Sequence, residues 1–187
     1  MATWRLRMVP GSGFALPELL VALAVLGMVL AGVFGLVTVG VTSYVSGAAR
    51  VEAQQAARVG LERMMRELRE AGYDPTGAGI APIVAAAVDR VTFQRDLNKN
   101  GVVDATSERV TFLLRPGESI LRRDAGAGAQ PIIQGVRRLA LTYFDRAGAP
   151  TADPALVASI HISLAVGLAG PGSLVESQVT LRNYRDP

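Results

Sequence analysis

The chain has 187 residues, half of them hydrophobic, 19% charged and 5% aromatic, with a formal charge of +3; this composition excludes a disordered chain and suits one ordinary domain with an appendage. There is no cysteine, one histidine (His161) and one lysine (Lys99), which excludes disulfide frameworks, thiolate metal centres, cysteine nucleophiles and sites built from several imidazoles. The hydrophobicity is unevenly spread. From Leu19 to Val37 there is no polar side chain, and beyond Thr38 the run continues through Val39, Gly40 and Val41. About 20 apolar residues span a bilayer core as a helix, so the run reads as a transmembrane segment. Arg5 and Arg7 precede it, with no acidic residue before Glu18, which places the N-terminus in the cytoplasm and the remainder outside. A cleavable secretory signal competes with this reading, because small residues between Ser43 and Ala49 offer a cleavage site after the run.

The stretch in front of the run decides between the two. Gly13-Phe14-Ala15-Leu16-Pro17-Glu18-Leu19-Leu20-Val21-Ala22-Leu23-Ala24 resembles the class III signal of type IV prepilins and type II secretion pseudoprepilins: a short basic leader, Gly, Phe, then Glu five residues into the mature chain. The resemblance implies that a prepilin peptidase/methyltransferase cuts between Gly13 and Phe14 and methylates the Phe14 amine, leaving a mature chain that keeps its apolar helix. A carboxylate at the edge of hydrocarbon is costly without a partner; in the family, the partner of the residue matching Glu18 is the N-terminal amine of a neighbouring subunit, and the pair sets the axial register. A Glu resting beside the headgroups is the plainer alternative. Pro17 falls in the first helical turn, where its missing N–H costs nothing. Gly27, Ala31 and Gly35 form a small-residue stripe at four-residue spacing, read either as a helix-packing face or as composition bias.

Residues 46–72 read as an amphipathic continuation of the helix. Ala57, Leu61, Met64, Met65 and Leu68 make one apolar face, while Glu62/Arg66, Arg63/Glu67 and Arg66/Glu70 are spaced for i,i+4 pairs on the other. The spacing predicts a helix to Ala71, capped by Gly72 and stopped by Asp74-Pro75. After a Gly/Pro-rich loop from Pro75 to Pro82, strands are predicted at Arg90–Arg95, Glu108–Leu114, Ser119–Arg123, Val136–Phe144, Leu156–Val166 and Leu174–Tyr184, with Arg115-Pro116-Gly117-Glu118 as a hairpin turn. The expected fold is α+β: a long N-terminal helix, transmembrane in its first half, packed on one antiparallel sheet, the lollipop form that the pilin resemblance implies. Its parts are a leader (1–13), a transmembrane helix (14–45), the amphipathic continuation (46–72) and a β-rich periplasmic or extracellular head (73–187). Arg69-Glu70-Ala71-Gly72-Tyr73-Asp74, the stretch Gly135–Asp145 and the closing Val179-Thr180-Leu181-Arg182-Asn183 resemble the minor pilin and pseudopilin branch called PilW-like or GspJ-like.

The segment Asp96–Asp104 follows the EF-hand-type calcium pattern. Oxygen-bearing side chains fall at Asp96, Asn98, Asn100 and Asp104, a carbonyl at Val102, and the turn glycine at Gly101. The bidentate position holds Ser107, and Glu108 stands one residue late. Calcium binding and a plain Asn-Gly turn are both open on the sequence.

Three functional classes follow. The first is a structural subunit of a type IV pilus or type II secretion pseudopilus, without turnover of its own, held in the inner membrane and partnered by other pilins or pseudopilins and by the peptidase. The second is a pilus-tip binding module for adhesion or DNA uptake. Loss of Arg5 and Arg7 with the leader lowers the charge to +1, and Arg122/Arg123 and Arg137/Arg138 are a thin footprint for nucleic acid, so no specific nucleic acid is expected. The third is an enzyme. It is not favoured, because His161 sits alone on one face of an alternating strand and no nucleotide loop, G-x-S-x-G or H-E-x-x-H pattern accompanies it.

Overall fold

A computed structural model describes residues 15–167 and 172–184; Gly13 and Phe14, the expected processing site, lie outside them. One helix, α1, runs from Leu16 to Arg69 over 54 residues. Pro17 sits in its first turn, where the Ala15 carbonyl accepts from the amides of Glu18 (2.9 Å) and Leu19 (3.3 Å). The helix stops two residues short of the predicted Ala71. The amides of Glu70 and Ala71 turn back to Glu67 and Leu68 at 3.1 Å each, the tighter three-residue spacing common at helix ends. Gly72 then takes a positive φ of 74°, as its place after the helix requires. Its N–H does not return to the helix but donates to Gln94 O (2.8 Å), and Asp96 N donates to Tyr73 O (2.7 Å). The helix terminus is thereby tied to the end of a strand.

The chain divides into two compact units, one through Val45 and one from Ser46. In the first, every described residue is exposed, and α1 includes a stretch long and apolar enough to cross a membrane, with none of it buried. The Thr38 hydroxyl donates to Phe34 O (2.8 Å) and that of Thr42 to Thr38 O (3.0 Å). Both hydroxyls are thus satisfied inside the helix, as an apolar surrounding demands.

The second unit holds the rest of α1 and two antiparallel sheets, where one had been expected. The larger has the order β1-β2-β3-β4-β5, from β1 (Ile83–Ala87), β2 (Arg90–Gln94), β3 (Arg109–Leu114), β4 (Ile120–Asp124) and β5 (Gln130–Gln134). The smaller is β6-β7-β8, from β6 (Val136–Phe144), β7 (Ser159–Val166) and β8 (Ser173–Thr180). The chain breaks between them at Gly135, whose φ is 71°. The predicted hairpin turn forms between β3 and β4: Glu118 N donates to Arg115 O (3.0 Å) and Gly117 has a φ of 78°, as a turn with Pro then Gly at its centre requires. The strand expected from Leu156 begins only at Ser159; Leu156 instead ends a short 3-10 turn, Pro154–Leu156, capped by the Asp153 side chain, which accepts from Ala155 N.

Alternation along the strands builds one core. Val91 and Phe93, Val110 and Phe112, and Ile160, Ile162, Leu164 and Val166 are buried, and they share a cluster with Ala57, Leu61, Met64 and Leu68 of α1. The two phenyl rings stack at 6.0 Å. Tyr143 of β6 joins the sheets: its hydroxyl reaches the carbonyls of Ala87 (2.7 Å) and Arg90 (3.0 Å), and burial pushes the phenol well above its ordinary pKa. Beside it, Leu141 N donates to Val88 O (2.8 Å).

Gly60 marks a close approach of helix to sheet. A Cβ there would sit 2.2 Å from Ile133 Cγ1, and Ile133 is itself 1% exposed. Gly60→Ala is therefore expected to destabilise the head by about 1–3 kcal/mol, even though alanine is the better helix former by about 1 kcal/mol. In an Ile133→Ala background, where the remaining Cβ lies 3.7 Å away, the same change should become neutral or stabilising. Thermal melts of the four proteins test this reversal of sign.

Candidate functional site

The residues singled out by sequence fall in two places. On the first unit, Glu18, Gly27, Ala31 and Gly35 are all exposed. Added Cβ atoms at Gly27 and Gly35 would meet nothing within 4 Å, so the stripe has no cover within its own unit. The Glu18 carboxylate likewise has no partner among the described residues.

The second place is the loop between β2 and β3. All six residues of the calcium pattern are linked there by hydrogen bonds. Asp96, fully buried, accepts from the amides of Lys99 (2.6 Å) and Asn100 (3.2 Å) on one oxygen and of Gly101 (2.9 Å) on the other. Asn98 Oδ1 accepts from Asn100 N, Asn100 Oδ1 from Val102 N, and Asn98 Nδ2 donates to Asp104. Glu108, 1% exposed, accepts from Leu97 N (2.8 Å) and Asn98 N (3.0 Å) on one oxygen and Asp104 N (2.8 Å) on the other. Among the described residues, no three His, Cys, Asp or Glu side chains gather closely enough to hold a metal ion. Lys99 and Ser107 adopt positive φ of 65° and 79°, and Ser107 N donates to Ala125 O (2.9 Å). The loop is thus closed by its own amides and pinned to the β4–β5 connection.

These bonds set the electrostatics. The amides of Asp104, Asn98 and Leu97, with the positive charge of Arg95, hold the Glu108 carboxyl below the usual carboxylate range against the opposing effect of burial. A second carboxylate, Asp74, lies beside the helix end. Desolvation raises its pKa, but the amides of Ala78, Gly79 and Ile80 and the Thr76 hydroxyl outweigh that and hold it well below its usual value. Depressed folded-state values mean stability that is full above the unfolded-state pKa, 4.5 for Glu108, and lost as pH falls through the lower folded-state value. The head should therefore melt at falling temperature below pH 4.5, with Glu108→Gln lower at neutral pH and flatter in acid. The same melts with calcium or with a chelator test the calcium reading: its signature is a rise with calcium that Asp96→Ala abolishes.

Sequence reasoning missed the largest charged cluster. Arg95, 7% exposed, follows β2 and points its guanidinium at α1, pairing with Glu70 and lying 3.9 Å from Glu67. Arg123 of β4 donates from Nε to both Glu67 oxygens (2.9 and 2.8 Å), and Arg63 adds a third contact at 3.2 Å. Of the predicted i,i+4 pairs only Arg63/Glu67 forms; Glu70 turns to Arg95 instead of Arg66. A buried guanidinium needs its carboxylate, whereas an exposed helix pair is worth little, so the tertiary partner wins. Arg95 Nε remains without a partner, and its guanidinium carbon lies 5.9 Å from the Phe93 ring centroid. Arg122 is taken up by Glu118 (2.9 Å). His161 is half-buried on the outer face of β7, opposite Thr142 and Gln178.

The chain matches no protein-family model and no curated protein.

Proposed function

We propose that the chain is a minor pilin or pseudopilin, a structural subunit that primes or enters a type IV pilus or type II secretion pseudopilus. It is made as a prepilin, cut between Gly13 and Phe14 and methylated on the Phe14 amine. It waits in the inner membrane with its N-terminus cytoplasmic and its head outside. The observation that carries this reading is the junction Gly13-Phe14 with Glu18, set directly before an apolar run. Two structural facts support it. The apolar part of α1 has no cover of its own, so lipid or neighbouring helices must provide it. The later part of the same helix buries Ala57, Leu61, Met64 and Leu68 in the core of the head, as expected of an amphipathic continuation.

The test is the mass of the chain co-expressed with a prepilin peptidase. Loss of residues 1–13 with gain of one methyl group is expected, and Gly13→Val should abolish both. An uncut chain, or a cut after the apolar run, overturns the reading.

A further inference from the structure

Arg66 and Arg69 of the last helical turns and Arg182 beyond β8 line one cleft of about 300 Å3, together with Glu70, Tyr73 and Asn183. All three arginines are exposed, and among the described residues no carboxylate pairs with any of them. Glu70, the acid spaced to neutralise Arg66, is drawn away by Arg95. The strand end that carries Arg182 is held against the helix terminus by Asn183 Nδ2, which donates to Ala71 O (3.2 Å). The carbonyls at the helix end offset part of the repulsion among the cations, by the equivalent of about half a charge, and the cleft keeps a clear positive excess.

We infer that this cleft binds a carboxylate presented by an acidic peptide segment of a partner protein. Guanidinium forks match a carboxylate in shape and charge, with paired N–H···O bonds. The lining chooses a peptide over a phosphate. Glu70 faces the same cleft, so a dianion meets repulsion there, while a peptide places its single charge on the arginines and offers N–H groups to Glu70. The half-buried Tyr73 ring gives the peptide's carbon atoms a wall. This inference does not depend on the subunit reading above; it concerns the head alone.

The experiment is fluorescence anisotropy of a labelled peptide with a single glutamate among serines, titrated with the full chain in an uncharged detergent. Arg66→Gln, Arg69→Gln and Arg182→Gln should each weaken binding about tenfold, the loss of one charge-assisted contact. Arg115→Gln, which removes the same charge from the exposed β3–β4 turn, should change it by less than about twofold. Unchanged melting temperatures show that the variants are folded, as expected for exposed side chains. Equal losses in all four variants overturn the inference, since they mark a general charge effect. Better competition by inorganic phosphate or phosphatidylserine vesicles than by unlabelled peptide overturns it in favour of a phosphate site. Binding that appears only after removal of residues 185–187 overturns it too, assigning the cleft to the chain's own end.

Discussion

Glu67→Ala is expected to cost the head about 3–5 kcal/mol, the usual penalty for breaking a buried ion pair from one side. The carboxylate is 13% exposed and receives Arg123 at 2.8 Å, Arg63 at 3.2 Å and Arg95 at 3.9 Å. Its removal strands Arg123, and it leaves Arg95 with Glu70 alone, whose side chain is half exposed. Arg95 already buries one N–H without a partner, so it has little tolerance for a further loss. The arginines themselves should rank by burial. Arg63, half exposed, is an ordinary surface helix pair, and Arg63→Ala should cost less than about 1 kcal/mol. Arg123→Ala should fall between the two. Glu67→Gln separates charge from shape: it keeps an acceptor for Arg123 Nε and should lose less than alanine. Denaturant melts of the four variants give the ranking. A Glu67→Ala protein within about 1 kcal/mol of the parent would show that the cluster is solvated and contributes no cohesion between helix and sheet.

The cluster also shows why the chain was only partly legible. Features set by local periodicity could be read directly. The apolar face Ala57–Leu68, the glycine after the helix, the Pro-Gly turn and the alternation of β3, β6 and β7 all depend on spacing along the chain. The strands that escaped had weak local signals. β1 is Ile83-Val84-Ala85-Ala86-Ala87, poor in β-branched residues beyond its first two. β5 contains Pro131, which argues against a strand except at an edge, and β5 is an edge. The division into two sheets rests on Gly135 and on the contacts of Tyr143 with Ala87 and Arg90, more than 50 residues away, and no window of sequence reports such a contact. The loop at Asp96 was legible as a pattern of oxygens. What those oxygens do was not, because their partners are backbone amides, which every residue but proline carries. Of the three arginines of the cleft, Arg66 was read as an i,i+4 partner, and Arg69 and Arg182 entered only through stretches that resemble the minor pilin branch; nothing local says that Arg95 would take Glu70.

Glu18→Ala separates the proposed membrane role of the helix from its proposed role in assembly. Glu18 lies in the first turn of α1, exposed, ahead of a run with no polar side chain until Thr38. A carboxylate near hydrocarbon opposes insertion by up to about 3 kcal/mol on translocon-based scales. The alanine variant should therefore enter the membrane at least as well as the parent, and the proposed peptidase cleavage between Gly13 and Phe14 should persist, since both residues are unchanged. Incorporation into filaments should fall sharply, because a dry helical bundle rewards a charge pair between Glu18 and the neighbouring amine far more than water does. Glu18→Gln keeps the size and the hydrogen bonds but not the charge, and on this account should behave as alanine does. Glu18→Asp keeps the charge on a shorter arm and should recover part of the signal. Immunoblots of the membrane fraction and of sheared filaments, from cells carrying each variant, read both quantities at once. Normal filament entry by Glu18→Ala would remove the pairing role and leave Glu18 as an interfacial residue beside the headgroups.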